Sequence, residues 1–286
     1  MTTRASAMPA LSMAPAPARL RFWAELTAMA TVASLGLGLT AYAALRTVRG
    51  QRLDQAAMDA VTAGPEGMRR VIGLLGTVSL WSIGVGLAVC LGLAFMRGRV
   101  AAAVGAVVLV AGADVTTQVL KRWVFERSPD LSGLPPSLPS GHTTVALSLG
   151  LAALVVTAGP LRALLVPVVA AAATLVGGGT VIGAWHRPAD VLAATAVCLA
   201  WSAVALAVAG VVGRTSPRAR GTGSSVSGLM ALSGAAAVGV VFLLWGVRPA
   251  GGWADLPLTA AALGSIGVAM AVTAAWVGTA ANRLGL

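Results

Sequence analysis

The chain has 286 residues, 57% hydrophobic and only 10% charged, with a net charge of +11. That charged share is well under the ~25% of soluble domains, which excludes an ordinary water-soluble globule. The arginines are scattered over the ends of apolar runs rather than gathered on one face, so the positive charge points to anionic membrane lipids as partners and away from nucleic acid.

In chain order, residues 1–18 are rich in Ala and Pro and carry no apolar stretch long enough for a cleavable signal, so they read as a disordered tail. A bilayer-spanning helix needs about 20 apolar residues. Eight such runs follow, near 22–46, 71–95, 100–120, 142–158, 161–184, 189–212, 226–246 and 258–280. The segment 214–225 (RTSPRARGTGSS) has the composition of a flexible loop and separates six runs from a final pair. The expected architecture is an all-α polytopic membrane bundle, with a six-helix unit over 19–213 and two additional helices over 226–286. Cys90 and Cys198 both fall inside apolar runs and read as small packing residues, not as a disulfide.

With the N-terminus placed in the cytoplasm, basic residues divide evenly between the two sides. Once Lys121, Arg127 and Arg187 are set aside as candidate site residues, the remainder favours this orientation and puts those three outside. Heavy use of Ala, Gly and Arg beside a single lysine suggests a GC-rich bacterial genome and hence a plasma membrane. Trp23, Trp123, Trp185 and Trp245 sit at span ends and read as interface anchors. Asp114, inside the third run and on the same helix face as Lys121, is either a functional carboxylate or a hydrogen-bonding partner for a neighbouring helix.

The most polar stretch, KRWVFERSPDLSGLPPSLPSGH, runs from the only lysine, Lys121, to His142, and is too rich in proline to continue a span. The other histidine, His186, lies in AWHRPAD, with Asp190 four residues on and therefore on the same helix face. These residue types suit phosphate-ester cleavage, which needs a nucleophile, an acid for the leaving oxygen and fixed positive charge for the equatorial oxygens. His186, oriented by the Asp190 carboxylate, suits the nucleophile, and His142 the acid. Ser140 can cap the helix that His142 begins, and Gly141 lets backbone N–H groups approach an anion at its positive end. Lys121 and Arg127 supply charge.

These residues resemble the type 2 phosphatidic acid phosphatases, whose signature is Lys followed by Arg-Pro, then Pro-Ser-Gly-His, then Ser-Arg followed by His and, four later, Asp. Pro139 to His142 match the middle part in full, and His186 and Asp190 match the third. Lys121 and Arg127 match the first with five intervening residues instead of six, and Ser128 precedes Pro129. The resemblance implies a six-helix phosphatase core and a phosphohistidine on His186 oriented by Asp190. It also implies His142 as the acid and then the activator of water, phosphate held by Lys121, Arg127, Ser140 and Gly141, and no metal or cofactor. Where the family has its second arginine this chain has Thr180, preceded by Gly179. A lost guanidinium at a dianion costs about 2–4 kcal/mol, and Arg187 and Arg122 are the nearest substitutes. The expected activity is hydrolysis of a lipid-linked phosphate or pyrophosphate. A phosphotransferase using the same intermediate, and a catalytically silent transporter or scaffold, stay open as alternatives.

Overall fold

A computed structural model describes residues 16–125, 137–213 and 224–286. The expected tail, up to residue 15, and most of the expected loop at 214–225 lie outside the described residues. The fold is an all-α bundle with helices α1 (Ala16–Arg46), α2 (Val48–Asp59), α3 (Pro65–Gly76), α4 (Leu80–Met96), α5 (Val100–Val119), α6 (Gly141–Val156), α7 (Gly159–Ile182), α8 (Pro188–Val212), α9 (Ser224–Leu244) and α10 (Leu256–Leu284). Among the described residues six helices are long and apolar enough to cross a membrane, which makes this a multi-pass membrane protein.

Two of the eight expected runs differ in form. The run at 71–95 is broken into α3 and α4, which meet at a bend of 59°. The cause is local: Ser79 N–H donates to Ser82 Oγ at 2.8 Å, so Ser79 caps a new helix instead of continuing the old one. The run at 142–158 gives α6, of 16 residues. At 1.5 Å per residue it is roughly 24 Å long, short of the ~30 Å hydrocarbon core. The missing turn is spent on the extended segment that leads into its N-cap.

The core lies where α5, α6, α7, α8 and α10 meet, around Leu109, Leu147, Leu151, Val155, Leu206, Ile266 and Met270, all fully buried. No packing boundary separates the last two helices from the rest, because α10 runs against α6, α7, α8 and α9. Small residues let the helices close up. A Cβ on Gly234 of α9 would lie 2.2 Å from the carbonyl oxygen of Pro167, the proline inside α7. At one end of the bundle Arg162 is completely buried, its Nε donating to the Leu154 carbonyl at 2.7 Å and its Nη1 to Asn282 Oδ1 at 2.6 Å, which joins α6, α7 and α10.

At the other end, where α8 begins, the polar connections form a cap. Strands β1 (Val61–Ala63) and β2 (Val247–Pro249) pair antiparallel, Val61 opposite Pro249. The Ala60 carbonyl accepts from Ala250 N–H at 2.8 Å and from the Thr259 hydroxyl at 2.9 Å. The link between α1 and α3 is thereby tied to the link between α9 and α10. Helix α2 belongs to this cap and was not expected from the apolar runs, since it is short and polar.

Candidate active site

The turn between α7 and α8 places His186. Thr180 ends its helix with its hydroxyl on the Gly177 carbonyl at 2.7 Å, and its own carbonyl accepts the N–H groups of Trp185 at 2.9 Å and His186 at 3.1 Å. Between them Ala184 has φ 55°, a left-handed conformation that costs a residue with a Cβ about 1–2 kcal/mol. Pro188 then opens α8 at a position where no N–H is needed.

Asp190, in the first turn of α8, is fully buried and gathers three donors on Oδ2: His186 Nδ1 at 3.2 Å, the Arg187 backbone N–H at 3.0 Å and the Ser137 hydroxyl. A carboxylate only accepts, so Nδ1 carries the hydrogen in this contact, and the tautomer it selects has its lone pair on Nε2. The shared helix face expected from the spacing does not form: His186 stands in the turn two residues before α8, Arg187 is the extended N-cap, and the contact reaches from that turn to the first turn of the helix.

His142 is brought alongside by the N-terminus of α6. Ser140 N–H donates to the Asp190 carbonyl at 2.9 Å, which ties the Pro-Ser-Gly-His segment to α8. Ser140 is the N-cap: its Oγ accepts from Thr143 N–H at 3.4 Å and from the Thr143 hydroxyl at 3.0 Å, and it is fully buried. The His142 and His186 rings stand edge to face with centroids 6.4 Å apart. Trp185 also packs against His142, with ring centroids 5.2 Å apart.

Both histidines face a cavity of about 640 Å³. Its polar wall is Lys121, Arg122, Gly141, Gln118 and Asp114, and its apolar wall includes Val78, Ile83, Val115, Val119 and Val145. Lys121 and Arg122 reach it because α5 continues as a π-helical turn, Leu120–Val124, closed by Phe125 N–H on the Leu120 carbonyl at 2.8 Å. Below them α5 and α6 are joined by polar contacts in antiparallel register, Thr117 to Thr144 at 2.9 Å and the Ser148 hydroxyl to Asp114 at 3.3 Å. Asp114 therefore holds a neighbouring helix, as the second reading of it expects, and it also lines the cavity.

The structure brings together His142, His186, Asp190, Lys121, Arg122 and Gly141. Ser140 supports them from beneath as a buried cap and does not line the cavity. Arg187 is buried too, and its Nε donates to Gln55 on α2 at 2.8 Å, away from the cavity wall. Arg127 lies outside the described residues. Thr180 is buried and brings no charge to the place where a second arginine would stand; of the two substitutes, Arg122 is the one on the cavity wall. Sequence reasoning missed Ser137, Trp185, Gln118, Asp54 and Gln55 as site neighbours. Trp185, beside a histidine at a helix start, was the one with a local signal.

A buried imidazole–carboxylate pair thus stands beside a second histidine, and both histidines share one cavity with two cationic side chains, Lys121 and Arg122. Residues 102–214, from within α5 to the end of α8, match the family model of the PAP2 superfamily, and Lys121, His142, His186 and Asp190 all lie within the matched stretch. Domains of this superfamily generally hydrolyse phosphate esters, which supports a phosphatase. No curated protein and no solved structure matches the chain.

Proposed function

We propose that the protein hydrolyses a lipid-linked phosphate or pyrophosphate without a metal ion, through a phosphohistidine on His186, at the outer face of the plasma membrane. The observation that carries this reading is the Nδ1–Oδ2 contact of His186 with buried Asp190, which leaves Nε2 as the nucleophile. The orientation rests on the distribution of basic residues along the chain.

In the first step His186 Nε2 attacks phosphorus and the bond to the leaving oxygen breaks, with His142 donating its proton to that oxygen. Asp190 balances the charge that develops on the His186 ring. Lys121 and Arg122 neutralise the equatorial oxygens, and Arg122 stands in for the arginine replaced by Thr180. In the second step His142 takes a proton from water, the water oxygen bonds to phosphorus, and the P–N bond breaks to release phosphate. The Val and Ile wall of the cavity suits an apolar tail next to the charged end, which favours a lipid over a soluble ester.

The test is phosphate release from a panel of detergent-dispersed lipids: a phosphatidate, a phosphatidylglycerol phosphate, an isoprenoid pyrophosphate and a polyprenyl sugar phosphate. The parent should turn over at least one, and His186→Ala none. Equal release by parent and variant would remove the proposal.

A further inference from the structure

Helix α2 takes no part in the chemistry above, yet it holds the start of α8. Ala189 N–H donates to Asp54 Oδ1 at 2.9 Å, and Arg187 Nε donates to Gln55 Oε1 at 2.8 Å. The first N–H groups of any helix lack partners within it. In α8 the Arg187 N–H goes to Asp190, Pro188 has none, and the Ala189 N–H is satisfied from another helix by Asp54. The two residues that α2 holds lie between His186 and Asp190, so α2 adds an anchor to the segment that aligns the nucleophile with its carboxylate.

Apolar burial anchors α2 weakly. Of its 12 residues only Gln51 and Ala57 are buried, and a helix of that length is marginal by itself. Its outer face is cationic: Arg49 and Arg52 are exposed, as is Arg46 at the end of α1, and none of the three has an ion pair among the described residues. Val48 and Leu53, exposed to 44% and 57%, flank them. The three arginines recur at every third position, directly after a span of 29 residues, which is where lipid headgroups lie.

We propose that α2 is a latch engaged by anionic lipid headgroups. Phosphate groups of the surrounding leaflet pair with Arg46, Arg49 and Arg52, bind only the docked position of α2, and so favour the assembled His186–Asp190 pair by mass action. Asp54 and Gln55 are the positioning residues that transmit this to the site. The activity readout of this latch rests on the phosphatase reading, whereas its structural readout does not.

The test uses the full chain in phosphatidylcholine nanodiscs with and without phosphatidylglycerol, followed by amide hydrogen exchange and by steady-state release of phosphate. In the parent, phosphatidylglycerol should slow exchange in residues 48–59 and 186–190 together and raise kcat by roughly tenfold, with KM changing less. The double variant Arg49→Gln/Arg52→Gln should keep the phosphatidylcholine values and lose both increments. Asp54→Leu should leave 186–190 unprotected even with phosphatidylglycerol. Equal exchange in the two bilayers, an increment retained by the double variant, or an effect confined to KM would overturn the latch. A parent that releases no phosphate in either bilayer would count against the phosphatase reading alone, and exchange would still decide the latch.

Discussion

The Thr180 carbonyl accepts the backbone N–H of His186 at 3.1 Å, so the residue that stands where a second arginine is expected holds the proposed nucleophile through the main chain. Its hydroxyl is spent on the Gly177 carbonyl, and the side chain is fully buried. Thr180→Val should therefore cost about 1 kcal/mol of stability, the value of one hydrogen bond, and leave KM unchanged. Thr180→Arg should not restore a lost guanidinium: an unpaired buried charge costs about 3–5 kcal/mol, and a lower midpoint of thermal unfolding in detergent checks it.

Asp190 is the acceptor for three donors at once, so its loss should be felt in both rate and fold. Asp190→Asn keeps the volume but removes the charge that balances the His186 ring and can hold the wrong tautomer, for which a fall in kcat of about 10²–10⁴ is expected. KM should move little, because Asp190 is buried behind His186. Ser137→Ala removes one donor of the three and should cost much less. Steady-state kinetics on the pair of variants separates the two contributions.

Lys121 and Arg122 share the cavity wall, and the reading above gives them phosphate charge to neutralise. Removing one such donor costs about 10²–10³ in kcat at comparable sites. Lys121→Gln and Arg122→Gln should each lower kcat/KM within that range and weaken inhibition by vanadate. An Arg122→Gln variant with parental kinetics would leave the place of the missing arginine unfilled. Chelator should leave the parent's rate unchanged, and a strict need for a divalent ion would redirect attention to the carboxylates.

The crossing of α7 and α9 depends on Gly234, whose Cβ would collide with the Pro167 carbonyl at 2.2 Å. Backbone cannot step aside as a side chain does, so Gly234→Ala should cost about 1–3 kcal/mol by overpacking. Gly36→Ala is the matched control, since nothing lies within 4 Å of a Cβ there. A shared unfolding temperature for the two variants would contradict the packing described.

What the sequence makes legible is whatever repeats along one helix. Apolar runs mark the spans, and His186 with Asp190 reads as a pair by its spacing, although the contact is made from the turn before α8 and not along the helix. Pro139 to His142 read as a helix start because an N-cap is a local device. Contacts between elements far apart in the chain leave no such trace. Ser137 meets Asp190 across 53 positions, and Gln55 meets Arg187 across 132. Helix α2 escaped notice because it is neither apolar enough to span nor long enough to show a period, and its role lies in its partners. The bend at Ser79 was masked by hydropathy, which continues through it. Arg187, adjacent to His186 in sequence, is directed to α2 from an extended N-cap position, where successive side chains point to opposite sides.

The most direct measurement of the central claim is mass spectrometry of the protein quenched in alkali during turnover of an aryl phosphate, whose leaving group needs no acid. The parent should carry a phosphoryl group on the peptide containing His186, and His142→Ala, which lacks the group that activates water, should accumulate more of it. Steady release of phosphate with no phosphoryl group on His186 in either protein, or undiminished release by His186→Ala, would contradict the account.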